Sequence, residues 1–280
     1  MPKTAIVTGG AGGMGLATAR ILGRDYRVVV SDVDQARLDD AVTELAGAGI
    51  DADSVVCDIT DRASVDALFE RAGASGPIGA VVHAAGVSPQ MGQAAKIIAI
   101  NAVGTVNIAE ASYAVAGEGF ALVNVSSIAG HMLPALLVPK RTYRLASVDV
   151  DRFATKLTQR ADRGPQAMRP GSAYSLSKNF VIWYSQAQAA RFGAKNARIL
   201  SVSPGSFDTE MGRLEEQSGA GKLVEFAALK RFGKPEEVAE LLAFCASEKP
   251  GYLTGIDILC DGGTKAGLDW RGMLAMARSS

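Results

Sequence analysis

Short apolar runs rich in valine and isoleucine recur along the chain, each separated from the next by a longer stretch with helical spacing. Seven stand out: TAIVT from residue 4, RVVVS from 27, DSVVC from 53, GAVVH from 79, FALVNV from 120, ARILSVS from 197 and IDILC from 256. A strand with one wet face alternates polar and apolar residues; these runs are nearly all apolar, as strands covered on both faces are. Helix-like segments lie at about 13–24, 34–47, 61–73, 93–116, 173–192 and 235–247. Strand–helix alternation of this kind predicts right-handed βαβ units. The fold class is therefore α/β, with a doubly wound, parallel seven-stranded sheet and helices on both faces. No internal repeat or low-complexity linker interrupts the 280 residues, so one domain spanning 1–280 is expected.

Composition narrows the partners. Lys plus Arg and Asp plus Glu both number 29, so neither a basic groove for nucleic acid nor an acidic solvating chain is indicated. Cys57, Cys245 and Cys260 are odd in number and far apart, which reads as core thiols of a reduced compartment. His83 and His131 are too few and too scattered for a metal site built on imidazoles, so no metal is expected. The opening MPKTAIVTGG has no cationic region followed by an apolar signal core. The uncharged run from Phe120 to Pro139 holds Asn124, Ser126, Ser127, Gly130, His131 and two prolines, which makes it a poor spanning helix. A cytoplasmic protein acting on a small molecule, with no membrane partner, is the expectation.

The first strand runs into VTGGAGGMG, and a helix follows. Glycines at such a turn let the backbone approach a pyrophosphate, and the helix N-terminus offers free N–H groups and a partial positive charge. In a strand–turn–helix setting this points to a dinucleotide. The second strand ends at Asp32, seventeen residues after Gly15. A carboxylate there can accept hydrogen bonds from the ribose hydroxyls of NAD and would repel the extra phosphate of NADP. No arginine or lysine is adjacent in the sequence, so NAD is the expected cofactor. The plainer alternative makes Asp32 a strand-end cap.

SAYSLSK, residues 172–178, sets Tyr174 and Lys178 four positions apart, on one face if helical. A free phenol has a pKa near ~10 and is a poor base at neutral pH; a cation beside it favours the phenolate. A surface pair on an amphipathic helix is the alternative. Two further segments break the rhythm. From about 131 to 171 an insertion carries three prolines before residue 166, and within it RTYRLASVDVDRFATKLTQRA has the pattern of a charged amphipathic helix. Such a segment serves as a lid, a binding loop or an oligomer contact. A second stretch, about 209–230 with Gly212, Gly219 and Gly221, has the look of a substrate lid, or else of a polar surface loop.

Taken together, these motifs resemble the short-chain dehydrogenase/reductase family in its classical branch, with a Rossmann fold, over almost the whole chain. Thr8, Gly9, Gly13 and Gly15 match its glycine motif, and Asp58 in VVCDIT matches the acid beside the adenine. HAAG at 83–86 stands where NNAG is usual. Asn101, the second serine of NVSS (Ser127) and the Tyr174–Lys178 pair match the catalytic set, and SVSPGSFDTEM matches the loop that closes on the nicotinamide. TGGAGGMG also fits the glycine pattern of extended sugar-nucleotide epimerases, but RFGKPEEVAELLAFCAS and the LTGIDILCDGG ending favour the classical branch.

The resemblance implies an oxidoreductase moving hydride between NAD and a secondary alcohol or ketone. Tyr174 would be the base, Lys178 its activator, Ser127 the substrate hydrogen-bonding group and Asn101 the holder of a water behind Lys178. Ser126 competes with Ser127. Cofactor contacts would come from Gly9, Gly13, Met14, Gly15, Asp32, Val33, Asp58, Ile59, Ala84, Ala85, Gly86, Tyr174, Lys178, Pro204, Gly205, Phe207 and Thr209. Two departures stand out. His83 and Ala84 replace paired asparagines, removing a polar tie, with His83 read as a packed residue in preference to an acid/base. Tyr174 follows Ser127 by 47 positions, longer than is usual, and in this the chain is similar to bacterial 3α-hydroxysteroid dehydrogenase/carbonyl reductases. Met132, Leu133, Leu136, Leu137, Met211 and Leu214 are the candidate walls for a hydrophobic substrate such as a hydroxysteroid. A homo-oligomer, dimer or tetramer, is expected. The rival functions are a sugar-nucleotide epimerase and a non-catalytic dinucleotide sensor or scaffold.

Overall fold

The computed structural model describes residues 3–74, 76–217 and 220–268. Its strands are β1 (Thr4–Thr8), β2 (Arg27–Asp32), β3 (Ala52–Val56), β4 (Ile78–His83), β5 (Ala121–Val125), β6 (Arg198–Pro204) and β7 (Asp257–Cys260). Between β1 and β4 run α1 (Gly13–Leu22), α2 (Gln35–Gly47) and α3 (Arg62–Ala74). Next come α4 (Ala94–Ile98) and α5 (Gly104–Val115), then α6 (Lys140–Tyr143), α7 (Val150–Ala161) and α8 (Arg169–Gly193). After β6 come α9 (Glu210–Gln217), α10 (Pro235–Ala246) and, past β7, α11 (Thr264–Gly267). All seven strands lie in one parallel sheet of order β3-β2-β1-β4-β5-β6-β7. The doubly wound architecture expected from the apolar runs is the one found.

Burial follows from the order. Every residue of β1 and β6 is buried, whereas the edge strands β3 and β7 are half-exposed. Leu68 of α3, Ile108 of α5 and Phe180 of α8 pack on one face of the sheet. Leu22 of α1, Leu38 of α2 and Leu242 of α10 pack on the other. The strand order reverses between β1 and β4, where Thr8 stands in register with His83. Connections leave in opposite directions there, opening a crevice at the carboxyl ends of the strands.

Two helices differ from their predicted form. The segment expected as one helix over 93–116 is interrupted by a π turn at Ala99–Val103 that carries Asn101. Ala94–Val115 as a whole is long and apolar enough to cross a membrane, yet 67% of its most apolar window is buried within the fold. In the insertion, the single helix expected over 141–161 is instead α6, a 3-10 turn at Arg144–Ser147, and α7. The break falls at Asp149, whose carboxylate accepts the Arg152 N–H at 2.9 Å and so caps a new helix.

That new helix is amphipathic, with Phe153, Leu157 and Ala161 buried at four-residue intervals. The Phe153 ring lies 4.5 Å from Phe180, and Tyr143 lies 5.3 Å from the same ring. The Tyr143 hydroxyl sits 3.0 Å from both the Leu176 carbonyl and Asn179 Oδ1. The insertion is thus a brace against α8. Phe153→Ala should lower the unfolding free energy by about 3–5 kcal/mol in a denaturant titration. A loss below about 1 kcal/mol would mean that α7 does not share the core.

Candidate active site

A cleft of about 390 Å³ opens at the carboxyl ends of the strands, along the crevice between β1 and β4. The β1–α1 turn contributes Gly9, Gly13, Met14 and Gly15, the end of β2 contributes Asp32 and Val33, and the β3 exit contributes Asp58 and Ile59. Ala84, Ala85 and Gly86 follow β4, Ser127 follows β5, and Tyr174 and Lys178 come from α8. Pro204, Gly205, Phe207 and Thr209 complete the wall. The structure therefore brings the proposed cofactor contacts into one cavity, with Ser127. Asn101 is the exception; it is buried behind the wall.

The glycine turn has the shape a dinucleotide needs. Gly13 has φ of +51°, which disfavours any side chain. A Cβ on Gly15 would sit 2.1 Å from the Gly9 carbonyl oxygen, so α1 can start this close to the turn only with glycine there. α1 then points its unpaired N–H groups towards the cleft. One oxygen of Asp32 accepts the Val33 N–H at 2.8 Å, the capping role named as the alternative, while the residue still lines the cleft.

At the opposite end the two serines separate. The Ser126 hydroxyl is buried and donates to the Lys178 carbonyl at 2.7 Å, a helix-to-strand tie. Ser127 is half-buried, its Oγ accepts the Ala129 N–H at 3.2 Å, and its own proton can be directed at a substrate oxygen. Lys178 is 7% exposed; its Nζ donates to the Val125 carbonyl at 3.0 Å and stands 5.9 Å from the Tyr174 ring centroid. A Cβ on Gly86 would lie 3.3 Å from Lys178 Nζ and 3.1 Å from Asn101 Oδ1.

Asn101 is held by three side-chain hydrogen bonds. Its side chain accepts the Val87 N–H and donates to the Val87 carbonyl, both at 2.9 Å, and reaches Ser177 Oγ at 3.3 Å. The amide clamps the strand-exit loop to α8. The missing asparagine pair is also compensated: His83 Nδ1 meets Thr8 Oγ1 at 2.7 Å, tying β4 to β1. Burial and then the Lys178 charge push the His83 pKa down to about 3, so this imidazole stays neutral and packed.

The substrate wall corrects one expectation. Met211 and Leu214 line the cleft, joined by Val87, Met91 and Ile100, whereas Met132, Leu133, Leu136 and Leu137 do not. The brace formed by α7 carries the insertion away from the mouth, leaving Leu136 fully exposed. The lid region at 209–230 forms α9 and a 3-10 turn at Ala220–Glu225, with Gly219 outside the described residues. Sequence reasoning missed Arg37, which lines the cleft beside Asp32 and pairs with Glu210 of α9 at 3.4 Å. The signal was Asp34, whose carboxylate accepts the Arg37 N–H at 3.2 Å and starts α2 at the same sheet edge.

Two family descriptions match the chain: short chain dehydrogenase over residues 3–139 and enoyl-(acyl carrier protein) reductase over 155–265. A short-chain dehydrogenase/reductase of Alternaria brassicicola is 32% identical over 272 residues, covering 95% of this chain and 97% of the relative. A cis-4-hydroxycyclohexanecarboxylate dehydrogenase of Sinomonas cyclohexanicum is 30% identical, covering 94% and 97%. In fold, the chain is similar to a solved short chain dehydrogenase from Burkholderia cenocepacia J2315 in complex with NADP. The TM-score is 0.75 at 23% identity, covering 95% of this chain and 98% of that one.

The state of His83 has a consequence for stability. Its ordinary pKa is 6.5 and the folded value is depressed, so the unfolded chain binds the extra proton first as pH falls. Its contribution is fully present above pH 6.5 and is lost as pH drops towards 3. Urea unfolding should show stability falling by about 2 kcal/mol between pH 6.5 and 5, and His83→Asn should flatten that slope. Equal slopes in the two proteins would contradict a buried neutral imidazole.

Proposed function

Because the chain belongs to the short-chain dehydrogenase/reductase family of oxidoreductases, we propose that it is an NAD-dependent enzyme interconverting a hydrophobic secondary alcohol and its ketone. One observation carries this reading: Ser127, Tyr174 and Lys178 stand together at one end of a cleft whose other end is the glycine turn and Asp32. Gly9, Gly13, Gly15, Asp32 and Asp58 would hold the adenosine and pyrophosphate, and Gly205, Phe207 and Thr209 the nicotinamide end. Bound NAD supplies the acceptor or donor of hydride. Everything else falls to side chains of this protein.

Ser127 donates to the substrate oxygen and fixes it beside the Tyr174 hydroxyl. Tyr174 takes the alcohol proton in oxidation and returns it in reduction. Lys178 stabilises the phenolate by charge, from a position fixed by the Val125 carbonyl. Met91, Ile100, Met211 and Leu214 favour an apolar body next to the carbinol. The name of the Sinomonas relative identifies a ring alcohol as its substrate, which supports an alicyclic alcohol, up to a hydroxysteroid, here.

Asp32 supports NAD over NADP, although the Burkholderia neighbour was solved with NADP. Assembly as a homodimer is part of the proposal. The edge strand β7 and exposed Phe244, Tyr252 and Ile256 offer an apolar face, while α7 covers α4 and α8. Three free cysteines fit a reducing cytoplasm.

Tyr174→Phe should lower kcat for alcohol oxidation at least 10²–10⁴-fold while NAD affinity stays within about threefold. Nicotinamide absorbance and calorimetry read the two quantities. Loss of both together would show that Tyr174 is structural.

A further inference from the structure

Among the described residues, the cations that line the cleft are Lys178, at the substrate end, and Arg37, at the adenosine end. Arg37 rises from the first turn of α2, and a methyl on Gly12 would come within 2.8 Å of its Nη2, so the guanidinium lies over the glycine turn. From the other side, Glu210 at the start of α9 places Oε2 3.4 Å from the same Nη2. Its neighbour Thr209 approaches the turn as well: a methyl on Gly13 would lie 3.6 Å from Thr209 Cγ2. The start of the lid is thus seated on the phosphate loop and latched by one ion pair. Arg213, further along α9, is paired with Asp208 at 2.8 Å.

We propose that Glu210 and a cofactor phosphate compete for Arg37, so that this latch sets how the cleft discriminates NADP from NAD. The proposal rests on the dinucleotide reading given above. The side chains of Arg37 and Glu210 are 50% and 82% exposed, and a single contact of this kind holds its partners only by a factor of a few. A phosphate monoester offers more charge and a bidentate face to a guanidinium, and it displaces a lone carboxylate. Asp32 opposes such a phosphate, and Arg37 offsets part of that repulsion. The exchange releases Glu210, and with it the start of α9. NAD, having no phosphate on the ribose, leaves the latch closed.

Direct binding of NAD and NADP by calorimetry tests this without turnover. In the wild type NAD should bind more tightly. Arg37→Met should widen the NAD-to-NADP affinity ratio about tenfold, and Glu210→Gln should narrow it severalfold, each leaving NAD affinity nearly unchanged. The double variant should behave as Arg37→Met alone, because Glu210 acts only through Arg37. Backbone hydrogen exchange at 210–217 should quicken with saturating NADP and not with NAD. A ratio unmoved by Arg37→Met, or a double variant equal to the sum of the single ones, overturns the proposal. Binding of neither dinucleotide to the wild type rejects the dinucleotide reading itself, and the latch falls with it.

Discussion

A buried ammonium organises this molecule. Lys178 is 7% exposed in a setting built from apolar strands, and an unpaired charge at such a depth is strongly unfavourable. The fold meets that demand from several directions. The Val125 carbonyl accepts from Nζ, Ser126 bonds the Lys178 backbone carbonyl, and Gly86 leaves room for the head group. Gly130 packs so closely on the Lys178 backbone that a Cβ there would lie 2.8 Å from its carbonyl carbon. Asn179, one residue on, donates to the Gly130 carbonyl at 2.8 Å. The same turn of α8 is gripped from behind by Tyr143 and Phe153 of the insertion. The long spacing between Ser127 and Tyr174 is therefore spent on packing against α8, not on the mouth of the cleft.

The tyrosines show what that cation is for. Burial raises the pKa of Tyr143 and Tyr184 far above the ordinary phenol value and raises that of Tyr26 as well. Those phenols are core or near-core groups held in their protonated form. Tyr174 differs in both respects that matter: it is half-buried on the cleft wall and shares a helix face with Lys178. His83, buried and kept neutral by burial and by the same lysine, is a packed tie between β4 and β1. Tyr174 is the phenol to which we assign proton transfer.

Much of this was legible in the sequence because it is local or periodic. Apolar runs such as RVVVS name strands wherever both faces are covered. The glycine turn and the Tyr174–Lys178 pair carry their geometry in their spacing. What escaped depends on partners distant in the chain. The break at Asp149 depends on a capping bond inside a pattern that also reads as one helix. The polar tie thought lost with the asparagine pair was restored by Thr8, 75 residues from His83. The apolar lining of the cleft drew on Met91 and Ile100, whose helical surroundings give no sign that they face a cleft. Arg37 was passed over because its place beside Asp32 is set by the start of α2 and not by sequence adjacency.

The central claim is that Lys178 makes the Tyr174 phenol a usable base. An ultraviolet difference titration of the intact protein, compared with Tyr174→Phe, tests it without a substrate. The account predicts a phenol ionisation below the ordinary value near ~10 that is absent from the variant. If no tyrosine ionises below that value, or if the early step persists in Tyr174→Phe, Lys178 does not serve the purpose assigned to it.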